Sequence, residues 1–186
     1  MSLEQIRDAL PDYARDIRLN LGSVLTPQGA PGLSEKQIAS IAVATAIAAR
    51  NVELARAVEE WARRRLDDTS IAGARAAAAV MGMNNVYYRF LHLVEDEEYG
   101  KLPARLRMNV MANPGIDRLD FELISLAVSA VNGCGLCITS HERKLRDEGV
   151  TREAVQSAVR IAAVIHAVAG VHEYEQAGGR GLDQAA

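Results

Sequence analysis

Aromatic residues are scarce in this sequence: one Trp, five Tyr and two Phe make up 4% of its 186 residues. That scarcity, beside an apolar fraction of 49% dominated by alanine, disfavours sheets and favours an all-α protein. Charge of one sign is also lacking. Lys and Arg total 21 against 24 Asp and Glu, a formal net charge of −3, so no field is present to gather a nucleic acid or an anionic membrane. The run Arg63-Arg64-Arg65 is offset by Glu59, Glu60, Asp67 and Asp68 and reads as a solvated helix face. The longest apolar runs, Ile38 to Ala49 and Ile161 to Val171, fall short of the roughly 20 residues a bilayer core requires, and no membrane span is expected. The first 21 residues are amphipathic and carry acids, unlike a secretory signal, which places the protein in the cytoplasm. There is no phosphate-binding glycine loop. With only two cysteines in a reducing compartment, a structural staple is not expected, and their Cys134-Gly135-Leu136-Cys137 spacing points to chemistry or metal.

What is present is helical periodicity between clear breakers, in a chain long enough for one domain. Residues 3–10 read as a short helix, and Pro11-Asp12 opens a second that runs to about Asn20. After a loop holding Pro27, Gly29, Pro31 and Gly32, Ser34 and Gln37 form a capping-box start to a helix ending near Arg50. Residues 51–66 and 71–93 continue as helices, and the acidic stretch 95–98 closes the first half. The second half repeats the rhythm. Asp117 caps a helix to Val131, Asn132-Gly133 breaks it, and helices follow over 134–147 and 151–170. An offset of 85 residues lays Ser40-Ile41-Ala42-Val43 on Ser125-Leu126-Ala127-Val128, which suggests a doubled domain with half-repeats at about 33–95 and 118–177. In that register Ala49 and Val52 stand where the cysteines are, so only the second copy carries sulfur. Residues 178–186 read as a mobile tail.

The cysteine pair follows a helix break, which puts both thiols in the first turn of a helix, where free backbone N–H groups favour a thiolate. Such a pair can close into a disulfide and be reopened by an external thiol. His141 lies four residues beyond Cys137, one turn along the same face, placed to take or return the thiol proton. The Asn132-Gly133 break makes 119–131 and 134–147 an antiparallel hairpin. Glu122 lies about 13 Å before the turn at 1.5 Å per residue, level with residues near 143. A relay from Glu122 through His141 and Cys137 to Cys134 follows.

Glu122 followed by Cys134-x-x-Cys137-x-x-x-His141 resembles the signature of the alkyl hydroperoxide reductase D (AhpD) family, within the carboxymuconolactone decarboxylase-like superfamily. Asn84 to Phe90, the Ser125 to Val128 segment and the doubled helical layout resemble that family too. Leu136 departs from it, since some members carry a histidine there. The resemblance implies an AhpD-like helical fold and a lipoyl-dependent alkyl hydroperoxide reductase that also regenerates the peroxiredoxin AhpC. It implies Cys137 as the residue oxidised to a sulfenic acid, and Cys134 as the outer, proton-donating and resolving cysteine that forms mixed disulfides with partners. Thioredoxin-type reasoning would instead make the first cysteine the attacking thiolate. No bound cofactor or metal is implied. Dihydrolipoamide would be the external reductant, a lipoyl-bearing acyltransferase with lipoamide dehydrogenase the partners, and a homotrimer the assembly.

Blander readings stand beside these. The cysteines could be two small buried hydrophobes. Cys134, Cys137 and His141 could bind zinc, with His166, His172 or Glu122 as fourth ligand, in a non-catalytic oligomerisation module. A decarboxylase-like activity would not need a dithiol. His166, in an alanine and valine run, reads as a hydrogen-bonded core histidine, His92 and His172 as surface or interface residues, and Tyr87, Tyr88 and Phe90 as packing.

Overall fold

In a computed structural model the backbone of residues 1–182 and the side chains of residues 1–178 are described, and among them there are helices and no strands. Two helices form the centre: α3 (Glu35–Ala48) and α8 (Arg118–Val131). Each buries nine consecutive residues, Ile38 to Ala46 and Phe121 to Ser129, because each is enclosed on all sides and carries mostly apolar or small residues around its circumference. Both pack against each other and against two long helices, α5 (Asp68–Leu93) and α10 (Arg152–Leu182). Alanine and serine on the central helices leave room for that close approach, while Ile41, Leu126, Ile161 and Ile165 fill the space between. Outside the centre, α4 (Val52–Ala62) folds back on α3 and α9 (Gly135–Asp147) on α8. The N-terminal helices α1 (Leu3–Asp8) and α2 (Arg15–Val24) cover α4 and α10, and two single-turn helices, α6 (Glu98–Lys101) and α7 (Asn109–Ala112), lie between the halves.

The starts are capped as their sequences require. Ser34 and Gln37 exchange the two hydrogen bonds of a capping box, and the Asp117 carboxylate accepts from the N–H groups of Leu119 and Asp120. Helix–hairpin–long helix recurs as α3–α4–α5 and α8–α9–α10. The register differs from the 85-residue offset read from the sequence. The caps Ser34 and Asp117, the left-handed residues Arg50 and Gly133, and the next caps Asn51 and Cys134 each stand 83 apart. Asn51, rather than Ala49, therefore occupies the place of Cys134. Helix-ending geometry set this register, and the short apolar matches used to align the halves were two residues out.

Other boundaries moved as well. The second helix begins as a 3-10 turn over Asp12–Ala14, and the helix expected to end at Gly170 continues to Leu182, with no proline in that stretch to stop it. Residues 178–182 of the segment read as a tail continue that helix, and 183–186 lie outside the described residues. Over Arg152–Gly178 α10 is long and apolar enough to cross a bilayer. Here it serves as a core helix, with Ala158, Ile161, Ile165 and Val168 fully buried against α3 and α8.

Leu145, fully buried, anchors α9 to this core. Leu145→Ala should lower the free energy of unfolding by about 2–5 kcal/mol through lost burial and an unfilled cavity, measured as a shift in the urea midpoint at constant slope.

Candidate active site

The site is built around one turn. α8 ends with Asn132 at its C-cap and Gly133 in the left-handed region (φ 68°). The Gly133 N–H donates to Ala130 O and the Cys134 N–H to Ser129 O at 3.1 Å, the bond pair of a Schellman ending. Cys134 is at the same time the N-cap of α9, its sulfur 3.3 Å from the backbone N–H of Cys137. In the first half Asn51 does the same work with an oxygen, accepting the Leu54 N–H at 2.8 Å. A sulfur thus stands where a helix start calls for an acceptor, and a thiolate is favoured there. The turn is held from α5: Asn85 donates to Ser129 Oγ and accepts from Asn132, and Arg89 donates to the Asn132 carbonyl at 2.6 Å.

Cys134 and Cys137 are joined as a disulfide, with their Cα atoms 5.3 Å apart. Cys134 has no exposed surface, whereas Cys137 keeps 7% and lines a groove. Of the two cysteines, Cys137 rather than Cys134 is thus the more exposed in the disulfide form. As both the tail of one turn and the cap of the next helix, Cys134 lies beneath the hairpin.

The groove, about 530 Å³, runs between α5, the segment around α7 and the start of α9. Met81, Tyr88, Met108, Met111 and Leu136 give it apolar walls, and Cys137 and His141 share its lining. His141 is 8% exposed and its Nδ1 lies 2.6 Å from Glu122 Oε2. The antiparallel hairpin places the two side chains level, as the rise per residue requires. With Nδ1–H donated to the carboxylate, Nε2 is the nitrogen left to exchange a proton. Lys144, one turn beyond His141 and half-exposed, holds the other carboxylate oxygen. Burial alone raises the Glu122 carboxyl, but the hydrogen bonds and charges of His141 and Lys144 outweigh it and hold the carboxyl below its ordinary value of 4.5.

Several assignments from the sequence change. His166 is exposed on α10 beside Arg50 and Arg89, away from the cysteines, because the register of α10 turns it outward. His172 is the buried histidine, bonded to Glu53 at 3.0 Å. His92 is exposed. Tyr88 lines the groove and bonds Met108, and Phe90 is 46% exposed. Among the described residues no three His, Cys, Asp or Glu side chains are grouped as a metal site would require. Lys144 and the methionine walls escaped the sequence reading. Lys144 had a signal, since it shares a helix face with His141, whereas Met108 and Met111 lie far from the motif along the chain.

A CxxC disulfide spanning the first turn of a helix, beside a carboxylate-held imidazole in an all-helical doubled architecture, defines a class of all-helical CxxC proteins. The carboxymuconolactone decarboxylase family profile matches residues 97–173. Alkyl hydroperoxide reductase AhpD of Rhodospirillum centenum is 54% identical over 177 residues, covering 95% of this chain and 94% of its own length. The AhpD proteins of Frankia alni and Coxiella burnetii are 54% and 50% identical over 169 residues, 91% of this chain and 90% and 96% of theirs. The chain belongs to the AhpD family.

Because the Glu122 carboxyl is held below its unfolded value, its stabilisation is complete above about pH 4.5 and disappears as the pH falls through the lowered folded value. Glu122→Gln should cost about 1–3 kcal/mol at pH 7. The gap between the two urea midpoints should close as the pH falls through the lowered folded value, where wild-type Glu122 also becomes neutral.

Proposed function

We propose that this protein is an antioxidant alkyl hydroperoxide reductase that also returns an AhpC-type peroxiredoxin to its dithiol form. The observation that carries the reading is the shared groove: the one accessible sulfur and the carboxylate-held imidazole line the same apolar cleft. The Cys137 thiolate attacks the terminal oxygen of ROOH. The O–O bond breaks, Cys137 becomes a sulfenic acid, and the departing alkoxide takes a proton from the His141 imidazolium, which Glu122 stabilises. Cys134 then attacks the Cys137 sulfur, its thiol proton leaves with the sulfenic oxygen as water, and the disulfide closes. The dithiol has lost two electrons and the products are ROH and water.

Re-reduction uses the same geometry. A thiolate of dihydrolipoamide, carried on a lipoyl-bearing acyltransferase and restored by lipoamide dehydrogenase, attacks Cys137, and Cys134 leaves as a thiolate stabilised by the Cys137 N–H. The second lipoyl thiol then releases the mixed disulfide, leaving oxidised lipoamide and the reduced pair. Since Cys137 is the accessible sulfur, mixed disulfides with the acyltransferase or with AhpC form on Cys137, and Cys134 resolves them. The scheme needs no bound cofactor. It belongs to a homotrimer in the cytoplasm, where the thiol pool keeps the pair working.

NADH consumption with lipoamide, lipoamide dehydrogenase and cumene hydroperoxide should exceed that of Cys137→Ser and rise further with the peroxiredoxin. His141→Phe should lower kcat/KM by about 10²–10⁴-fold. In Cys134→Ser, sulfenate should be trapped on Cys137. Consumption no greater than in Cys137→Ser, with or without peroxiredoxin, overturns the reading.

A further inference from the structure

One polar side chain in the groove has no work in the folded protein. Asn84, on α5, is 4% exposed, its Oδ1 has no partner, and its carboxamide bonds no described residue. Its neighbour Asn85 is fully engaged with Ser129 and Asn132, so the helix itself does not prevent pairing. A buried carboxamide oxygen without a partner opposes folding, and an apolar residue of the same size would remove that cost. The only other buried side-chain polar atom without a partner among the described residues is the Ser125 hydroxyl, which lies outside the groove. Asn84 shares the groove with Cys137, His141 and the apolar walls.

We infer that Asn84 is a positioning residue that binds the peroxy group of an organic hydroperoxide, whose hydrocarbon part lies against Met81, Met108, Met111 and Leu136. The inference rests on the peroxidase reading and adds to it how the substrate is held. A hydroperoxide offers one O–H donor and two acceptor oxygens, and a carboxamide supplies the complementary set. Oδ1 accepts the terminal O–H, a proton that stays on this oxygen as it passes to the Cys137 sulfur. Nδ2–H donates to the oxygen bearing the hydrocarbon, where negative charge grows as the O–O bond breaks and before His141 delivers its proton. The bond set is strongest at the transition state, and the apolar walls offer few groups that would compete for it.

The test measures, in pre-reduced protein, the second-order rate of Cys137 oxidation by cumene hydroperoxide and the rate of Cys137 alkylation by iodoacetamide. Asn84→Leu should slow oxidation by about 100-fold. Alkylation, which reports the thiolate without any peroxy group, should change by less than about threefold, and the melting temperature should hold or rise as the unpaired amide is removed. Asn84→Asp keeps the shape and loses the donor, and should be slow with the hydroperoxide even if the leucine variant folds poorly. Oxidation slowed no more than alkylation in both variants overturns the assignment and leaves the peroxidase reading intact. Wild-type protein that consumes cumene hydroperoxide no faster than Cys137→Ser overturns the peroxidase reading and this assignment with it.

Discussion

The structure depends on a three-residue turn that ends one helix and starts the next without a spare residue. Gly133 takes the left-handed conformation a Schellman ending requires, and Cys134 serves both the Ser129 carbonyl in the last turn of α8, through its N–H, and the first turn of α9, through its sulfur. Every other feature of the site follows geometrically. Cys137 falls three residues into α9 at the groove, His141 one turn further, and the antiparallel return brings Glu122 level with it. The first half uses the same turn with Arg50 and Asn51. An oxygen cap and a sulfur cap do equivalent structural work in the two halves.

A buried carboxylate in this setting would be costly without compensation, and the site compensates it twice. His141 and Lys144 each hold one oxygen of Glu122, so its charge is retained inside the protein. That carboxylate orients the imidazole through its Nδ1. The same region accepts local penalties elsewhere, in a left-handed Arg50 and an unpaired Asn84.

The chain was readable wherever a signal is local. Ser34, Gln37 and Asp117 announced their helices by capping chemistry, Asn132-Gly133 marked the hairpin, and the rise per residue sufficed to bring Glu122 to His141. Periodicity failed where it had no breaker to stop it, at the end of α10, and where apolar runs look alike in any register. Hence His166 and His172 exchanged places between core and surface, and the two halves were aligned two residues out of step.

By itself the sequence determined the helices, the hairpin and the order of the reactive groups along it, because caps, breaks and helical spacing act over a few residues. Only the tertiary structure decided which sulfur meets the outside, that Lys144 shares the carboxylate, and that Met81, Asn84, Tyr88, Met108 and Met111 form the groove beside Cys137. Accessibility and cavity shape arise from segments distant in sequence packing together, and no local propensity encodes which faces will meet.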